Sequence, residues 1–510
     1  MISIAATQRG MVINKDVLIS KIGHNTYKEL LEHLTIKKSQ RVGKRINTKT
    51  EFLYKHVKGV DKMYLIVSRF SIGDVRKFLL NYNIKCKLIN KIPEGDDISY
   101  KYLRPGPTLD PNQCIISDYL DKNVYNDRML SLGVAGSVLV LPTGLGKTYI
   151  ACSKIRDFGK KTLVVVPNST ILAGWKEVLS KCYPKLIVGE YSSKRKKDGD
   201  VVVMIINSAK CDRFIFRDGK KVDNILCGEY FKKFGCVIYD EIHNYTAAGG
   251  QTALWRTNFK YALGLTATPD ENSWDMDIIF QKHCGKLIDA LQIPGYNPDM
   301  IKWLGSVQPI YYLGPPEYTQ KITNPGNDWT SHGEMVAQFC ADVYRNKVLL
   351  DIICDLYYKG RNIFVFFKNR EFSKTLQNML TSRLGFELDE RAEFTILMGG
   401  AKTADHAAAK TSKIVLTTYH FGAEGVSIPK MDTLVFATPR MAKMKQIIGR
   451  ILRKSGDPDI KRLIIDIVDK KTEIGQKQFT KRKKTYMNKV LYDFDIKDPI
   501  IKDYEKVNIA

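Results

Sequence analysis

Eight residues, Leu141-Pro142-Thr143-Gly144-Leu145-Gly146-Lys147-Thr148, lie between an apolar run, Ser137-Val138-Leu139-Val140, and a helix-like start, Tyr149-Ile150-Ala151-Cys152. Strand, glycine-rich turn and helix start in that order make a phosphate-binding loop. Gly144 and Gly146 let backbone amides close around a polyphosphate, with Pro142, Thr143 and Leu145 as the rest of the cradle. The helix N-terminus adds unpaired amides and the positive end of its dipole. Lys147 is positioned for the β- and γ-phosphates, and the Thr148 hydroxyl for a magnesium ion. The general pattern opens on a glycine, and this chain has Leu141 there.

A second set of groups follows downstream. Cys236-Val237-Ile238-Tyr239 reads as a short buried strand running into Asp240-Glu241-Ile242-His243. A carboxylate at the end of such a strand is where magnesium is held, which makes Asp240 the expected metal partner. Glu241 is placed to orient and deprotonate an attacking water. An acidic pair after a strand can also be a solvated helix cap; its place behind a phosphate loop favours the chemical reading.

Asp240-Glu241-Ile242-His243 resembles the DExH box of superfamily 2 helicases, and further segments resemble that family's motifs in order. Leu109-Asp110-Pro111-Asn112-Gln113 is similar to the segment whose glutamine, here Gln113, reads the adenine edge. Thr162-Leu163-Val164-Val165-Val166-Pro167-Asn168 is similar to the strand and loop that grip one nucleic-acid strand. Thr266-Ala267-Thr268 matches the motif that couples the ATP site to that track, and the resemblance gives Thr266, Thr268 and His243 the coupling role. Gln446-Ile447-Ile448-Gly449-Arg450-Ile451-Leu452-Arg453 matches Q-x-x-G-R-x-x-R. The resemblance implies that Gln446, Arg450 and Arg453 serve catalysis, with both arginines reaching the γ-phosphate. Thr417 to Gly425 resembles the motif before it, with Ser427 where many relatives carry aspartate. Within the family the phrasing is closest to the transcript-release helicases of poxvirus-like large DNA viruses and to phage branch-migration helicases.

That resemblance implies an α/β fold of two RecA-like parallel-sheet lobes, with a small basic N-terminal α/β domain. It implies ATP and Mg²⁺ as cofactors, and nucleic acid as partner, DNA favoured over RNA, with a transcription complex as a further partner. The implied activity is an ATP-driven helicase. A translocase without net unwinding stays open beside it, as does a nucleic-acid-binding scaffold that has lost turnover. Intact Lys147, Asp240, Glu241 and Arg450 argue against the scaffold.

The elements that must position these groups can be read along the chain. At 510 residues two or three domains are expected. An excess of 80 Lys+Arg over 54 Asp+Glu, a formal charge of +26, favours a polyanionic partner. The ten cysteines include no C-x-x-C pair, which fits a reducing compartment. No secretion signal or membrane-length apolar run appears, so a soluble intracellular protein, in cytoplasm or virion, is expected.

Residues 1–100 are expected to be an accessory domain. Their 19 Lys+Arg against 9 Asp+Glu leave two readings, contact with nucleic-acid backbone or docking on the motor alone. Tyr27, Leu30, Leu31 and Leu34 have helical spacing, Met63–Val67 reads as a strand, and Ser71 to Asp74 as a capping box for a helix over 74–82.

Residues 101–292 are expected to be the ATP-binding lobe, with strands at 137–141, 162–167, 201–206, 236–239 and 262–266, and a hairpin at 214–220. A Pro- and Gly-rich linker is expected over 293–332 and a second lobe over 333–470, with strands at 362–367, 394–398, 413–417, 433–437 and 462–467. A basic tail, 471–510, would complete the chain. There Lys481-Arg482-Lys483-Lys484 with Phe479 and Tyr486 offers either a phosphate patch flanked by stacking rings or a solvated helix face. Trp175 falls at core spacing with Ile171 and Leu172.

Overall fold

The computed structural model describes the chain apart from residues 43–44, 194, 210–214, 218–219, 223–228, 270–276, 302, 325–329, 385–392, 424–425, 427, 441, 453–456, 458, 489–491 and 509–510. Two compact units result, one of Met1–Pro142 with Gly146–Tyr296, the other of Thr143–Leu145 with Asn297–Ala510. No helix among the described residues is long and apolar enough to cross a membrane.

The first unit holds two main sheets. Its larger one runs Lys196–Lys197, Val188–Tyr191, Val201–Ile205, Thr162–Val166, Cys236–Tyr239, Tyr261–Thr266, Gly136–Val140, Lys286–Asp289. All pairs are parallel except the one made by Lys196–Lys197. Strands covered on both faces by crossover helices need apolar residues at every position, and Leu163 to Val166 and Val201 to Met204 are fully buried. The five expected strands are present to within a residue at each end. Ile215–Arg217 and Lys220–Val222 pair as the expected hairpin; Phe214 and the turn residues lie outside the described residues.

The N-terminal sheet has the order Tyr54–Lys58, Met63–Val67, Gly10–Asn14, Ile2–Thr7, Cys86–Asn90. Its core gathers Leu18, Tyr27 and Leu30 from the expected helix, which spans Lys15–His33, and Leu34 from that helix's C-cap. The capping box at Ser71 does not form. The helix begins at Ile72, and the Ser71 hydroxyl pairs with that of Ser68 at 2.6 Å instead of capping.

This sheet docks on the larger one through Arg69, which is 1% exposed. Its guanidinium donates to the carbonyls of Gly133 (2.6 Å), Phe259 (2.5 Å) and Lys260 (3.0 Å). Burial pulls its pKa down to about 10, the cost of holding a cation against neutral carbonyls. At the periphery Lys282 pairs with Asp74 at 2.6 Å, and Lys55 lies over the Trp255 ring at 4.7 Å.

The second unit is one parallel sheet ordered Phe394–Leu397, Ile414–Thr418, Ile363–Phe367, Thr433–Phe436, Arg462–Asp469, Trp303–Leu313, Tyr492–Ile496, with Ile500–Asp503 also on Trp303–Leu313. Two expectations are corrected here. The strip taken for a linker contains Trp303–Leu313, an eleven-residue strand in the sheet's interior. The tail is built into the fold as well. In helix Glu473–Tyr486 the rings of Phe479 and Tyr486 are buried in the core instead of flanking a surface patch. Arg482 donates twice to Asp466 (2.9 and 2.7 Å), while Lys481, Lys483 and Lys484 are exposed.

Arg69→Met removes the donor to three buried carbonyls. It is expected to cost about 3 kcal/mol, by the desolvation of groups left unpaired. Urea unfolding of the full chain checks this, and a change under about 0.5 kcal/mol would contradict the docking role.

Candidate nucleotide site and its relatives

Helices cross back between parallel strands, so the carboxyl ends of Gly136–Val140, Cys236–Tyr239 and Tyr261–Thr266 share one edge of the larger sheet. The phosphate loop, the acidic pair and the Thr266-Ala267-Thr268 segment follow those three ends. Gly144 and Gly146 have φ of +90° and +86°, a region where side chains strain the backbone. At Gly146 a Cβ would also stand 2.2 Å from Gln113 Nε2, so a side chain there would strain the backbone and push the Gln113 amide aside.

Leu141 explains its own departure from the pattern. It is 1% exposed, and its amide donates to Thr266 O at 3.0 Å, so the residue prolongs the strand into the core. Lys147 opens the helix Lys147–Phe158 and donates to Leu141 O at 2.9 Å; Thr148 is the next residue and half-buried. Gln113 forms a capping box with Asp110, in which Gln113 Oε1 accepts from the Asp110 amide at 3.1 Å. It thus stands against the loop with its amide group already oriented.

Asp240 is 9% exposed. Its Oδ2 accepts from Trp175 Nε1 at 2.8 Å and its Oδ1 from the Glu241 amide at 3.0 Å. Burial, then the Glu241 charge, pushes the Asp240 carboxyl up to about 6, against the pull of Trp175 and Lys147. Trp175 has the core position its spacing implies, at 2% exposed, yet its indole N–H also fixes the carboxylate. Helical spacing could not show this, because the partner is 65 residues away.

Glu241 has φ 47° and ψ 52°, a left-handed conformation that costs a non-glycine residue about 1 kcal/mol or more. The bend turns the side chain back toward the site. Its Oε2 is buried without a hydrogen-bond partner among the described residues, 3.5 Å from His243 Nδ1. His243 Nδ1 and Thr266 Oγ1 are 2.9 Å apart, and Thr266 Oγ1 accepts from the Thr268 amide at 3.1 Å. His243, Thr266 and Thr268 are thus joined by consecutive hydrogen bonds.

In the second unit, Gln446 is buried on the helix Met444–Ile448. Arg450 is 7% exposed and donates to the carbonyls of Val426, at 2.8 Å, and Ala423. Arg453, Glu424, Gly425 and Ser427 lie outside the described residues.

The donor set suits magnesium held jointly with phosphate. Among the described residues no three His, Cys, Asp or Glu side chains cluster as a metal cage. A buried carboxylate with both oxygens oriented, near the half-buried Thr148, fits an ion that takes most of its ligands from phosphate and water.

The profile described as "Type III restriction enzyme, res subunit" matches residues 121–271, which span the phosphate loop, the acidic box and Thr266 to Thr268. The chain is also similar to putative helicases of large DNA viruses. It is 28% identical over 350 residues to the "Putative ATP-dependent RNA helicase QP509L" of African swine fever virus, covering 65% of this chain and 64% of that protein. It is 21% identical over 342 residues to the "Transcript termination protein A18" of Myxoma virus, covering 62% and 64%. The chain thus spans just under two thirds of these relatives' length. Among solved structures, that of T4 UvsW is 16% identical and aligns over 94% of this chain and 96% of its own, with a TM-score of 0.35.

Asp240→Asn is expected to stabilise the nucleotide-free protein at pH 8. A carboxyl whose pKa the fold raises binds its proton more tightly folded than unfolded, so stability falls as pH rises from about 4 to about 6. Asparagine carries no charge and keeps an acceptor for Trp175, giving up the one for the Glu241 amide at either pH. Urea unfolding in chelator should show a gain of about 1–3 kcal/mol at pH 8 that shrinks toward pH 4. An equal effect at both pH values would contradict the burial account.

Proposed function

We propose that the chain is an ATP-driven motor of the superfamily 2 helicase type, acting on nucleic acid. One observation carries this reading. A single sheet edge gathers a glycine-bound phosphate loop, the Lys147 ammonium, an oriented Asp240 and a buried Glu241 oxygen with no donor of its own among the described residues. Lys147 would exchange the Leu141 carbonyl for phosphate oxygens. Thr148 and Asp240 would hold Mg²⁺, whose charge offsets that developing on the transferring phosphoryl. Glu241 would take the proton of the attacking water, and Gln113 would meet the adenine edge.

Arg450 and Arg453 would supply positive charge to the γ-phosphate, with Gln446 beside them. Arg450 would first have to release the Val426 and Ala423 carbonyls, which makes its arrival a conformational step. His243, Thr266 and Thr268 would relay the state of the site toward the bound strand.

DNA carrying a transcript is the favoured substrate. The +26 formal charge supports a polyanion, and the Myxoma virus relative is named for transcript termination. RNA alone is the second reading, favoured by the name of the African swine fever virus relative. Strand separation and translocation without unwinding both remain compatible with the site.

Two experiments test these assignments. Lys147→Ala should abolish turnover and weaken ATP binding, whereas Glu241→Gln should bind ATP and nucleic acid yet lose at least about a hundredfold in rate. Failure of Glu241→Gln to bind nucleotide would make Glu241 a structural residue. ATP turnover on matched single-stranded, duplex and forked DNA and RNA, followed by strand displacement, should show several-fold stimulation with DNA forms leading. Stimulation by RNA alone would overturn the DNA preference, and no turnover with any polymer would overturn the motor.

A further inference from the structure

The outer edge of the N-terminal sheet carries a groove that the nucleotide site does not use. Strand Cys86–Asn90 ends that sheet, and among the described residues no strand pairs with its far side. Lys85 O accepts from Ile2 N at 2.9 Å and Lys91 N donates to Ala6 O at 2.8 Å. In a parallel ladder alternate residues face the partner, so the amides and carbonyls of Cys86 and Leu88 face away from it. An edge of this kind is a template for another strand.

Leu88 also lines a pocket of about 420 Å³, with Met129 and Leu132 as further apolar lining. Arg76, Lys122 and Arg128 line it from three separate helices, Ile72–Leu80, Pro111–Asn123 and Asp127–Ser131. All three cations are exposed, no lining residue is acidic, and Lys87 on the edge strand is exposed too. The apolar lining gives a phosphate chain nothing to bind. Outward amides and carbonyls in strand register are groups that a peptide backbone satisfies.

We propose that this edge and pocket receive an extended acidic segment of a partner protein. The segment adds a strand beside Cys86–Asn90, places one apolar side chain against Leu88, Met129 and Leu132, and sets its carboxylates on Arg76, Lys122 and Arg128. Side chains two apart along a strand share a face, so the sequence that fits has an apolar residue flanked by acidic residues two positions to either side.

The probe is a fluorescein-labelled peptide, Ser-Glu-Ser-Leu-Ser-Glu-Ser, titrated by anisotropy into the full chain. Binding is expected, together with slower hydrogen exchange at the amides of Cys86 and Leu88. The double variant Arg76→Glu/Arg128→Glu should lower affinity at least about tenfold, because both ion-pair partners become repulsive. The same peptide with serine in place of its leucine should also bind at least about tenfold more weakly, since serine leaves the apolar part of the pocket empty. The double variant lies outside the nucleotide site, so its ATP turnover without nucleic acid should equal that of the parent. That readout keeps the outcome separate from the proposed motor activity. Peptide binding indifferent to the charge reversal, or unchanged exchange at both amides, would overturn the proposal. So would a charge reversal that weakens binding of a single-stranded oligonucleotide while the peptide never binds, which would give the groove to nucleic acid.

Discussion

Parallel strands joined by crossover helices must all end on the same edge of the sheet, and the candidate site exists because of that constraint. Residues from 141 to 148, 240 to 243 and 266 to 268 are far apart in the chain, yet each group follows a strand pointing the same way. The fully buried strands supply a rigid base. The loops at their ends can then adopt backbone conformations that would be costly without support, such as φ 47° at Glu241.

Electrostatics at that edge follow a common pattern. Asp240 is buried where its charged form is disfavoured, and both its oxygens are nonetheless held by donors. Lys147 rests on Leu141 O. Both groups are thus held in place by neutral hydrogen-bond partners from the fold itself.

Much of this was legible in the sequence because buried parallel strands leave near-continuous apolar runs, as in Thr162–Val166 and Ile363–Phe367. Trp303–Leu313 was not legible, since Gly305 and Pro309 interrupt it like a linker. The register supplies the reason: Trp303 to Val307 pair with Tyr492–Ile496, and Ile310 to Leu313 with Ile500–Asp503. Pro309 falls in the gap between the two partners, where no amide is asked of it. The basic tail misled for a similar reason. Arg482 reads as one more surface cation until Asp466 is brought to it by the fold. At the site, residue types and order sufficed for the loop and the acidic box, whereas the roles of Trp175 and the Val426 carbonyl depend on tertiary contacts alone.

The Arg69 clamp bears on how such a chain can be inherited. Domains that meet through loose polar surfaces can be shuffled between genes as cassettes. Here one guanidinium in the N-terminal sheet is satisfied by carbonyls that include Phe259, 190 positions further along the sequence. A recombination event that replaced only the first segment would need to bring a donor matched to those three carbonyls, or leave them dry and unpaired. The N-terminal sheet and the larger sheet it docks on are therefore expected to have descended together, as one unit of exchange.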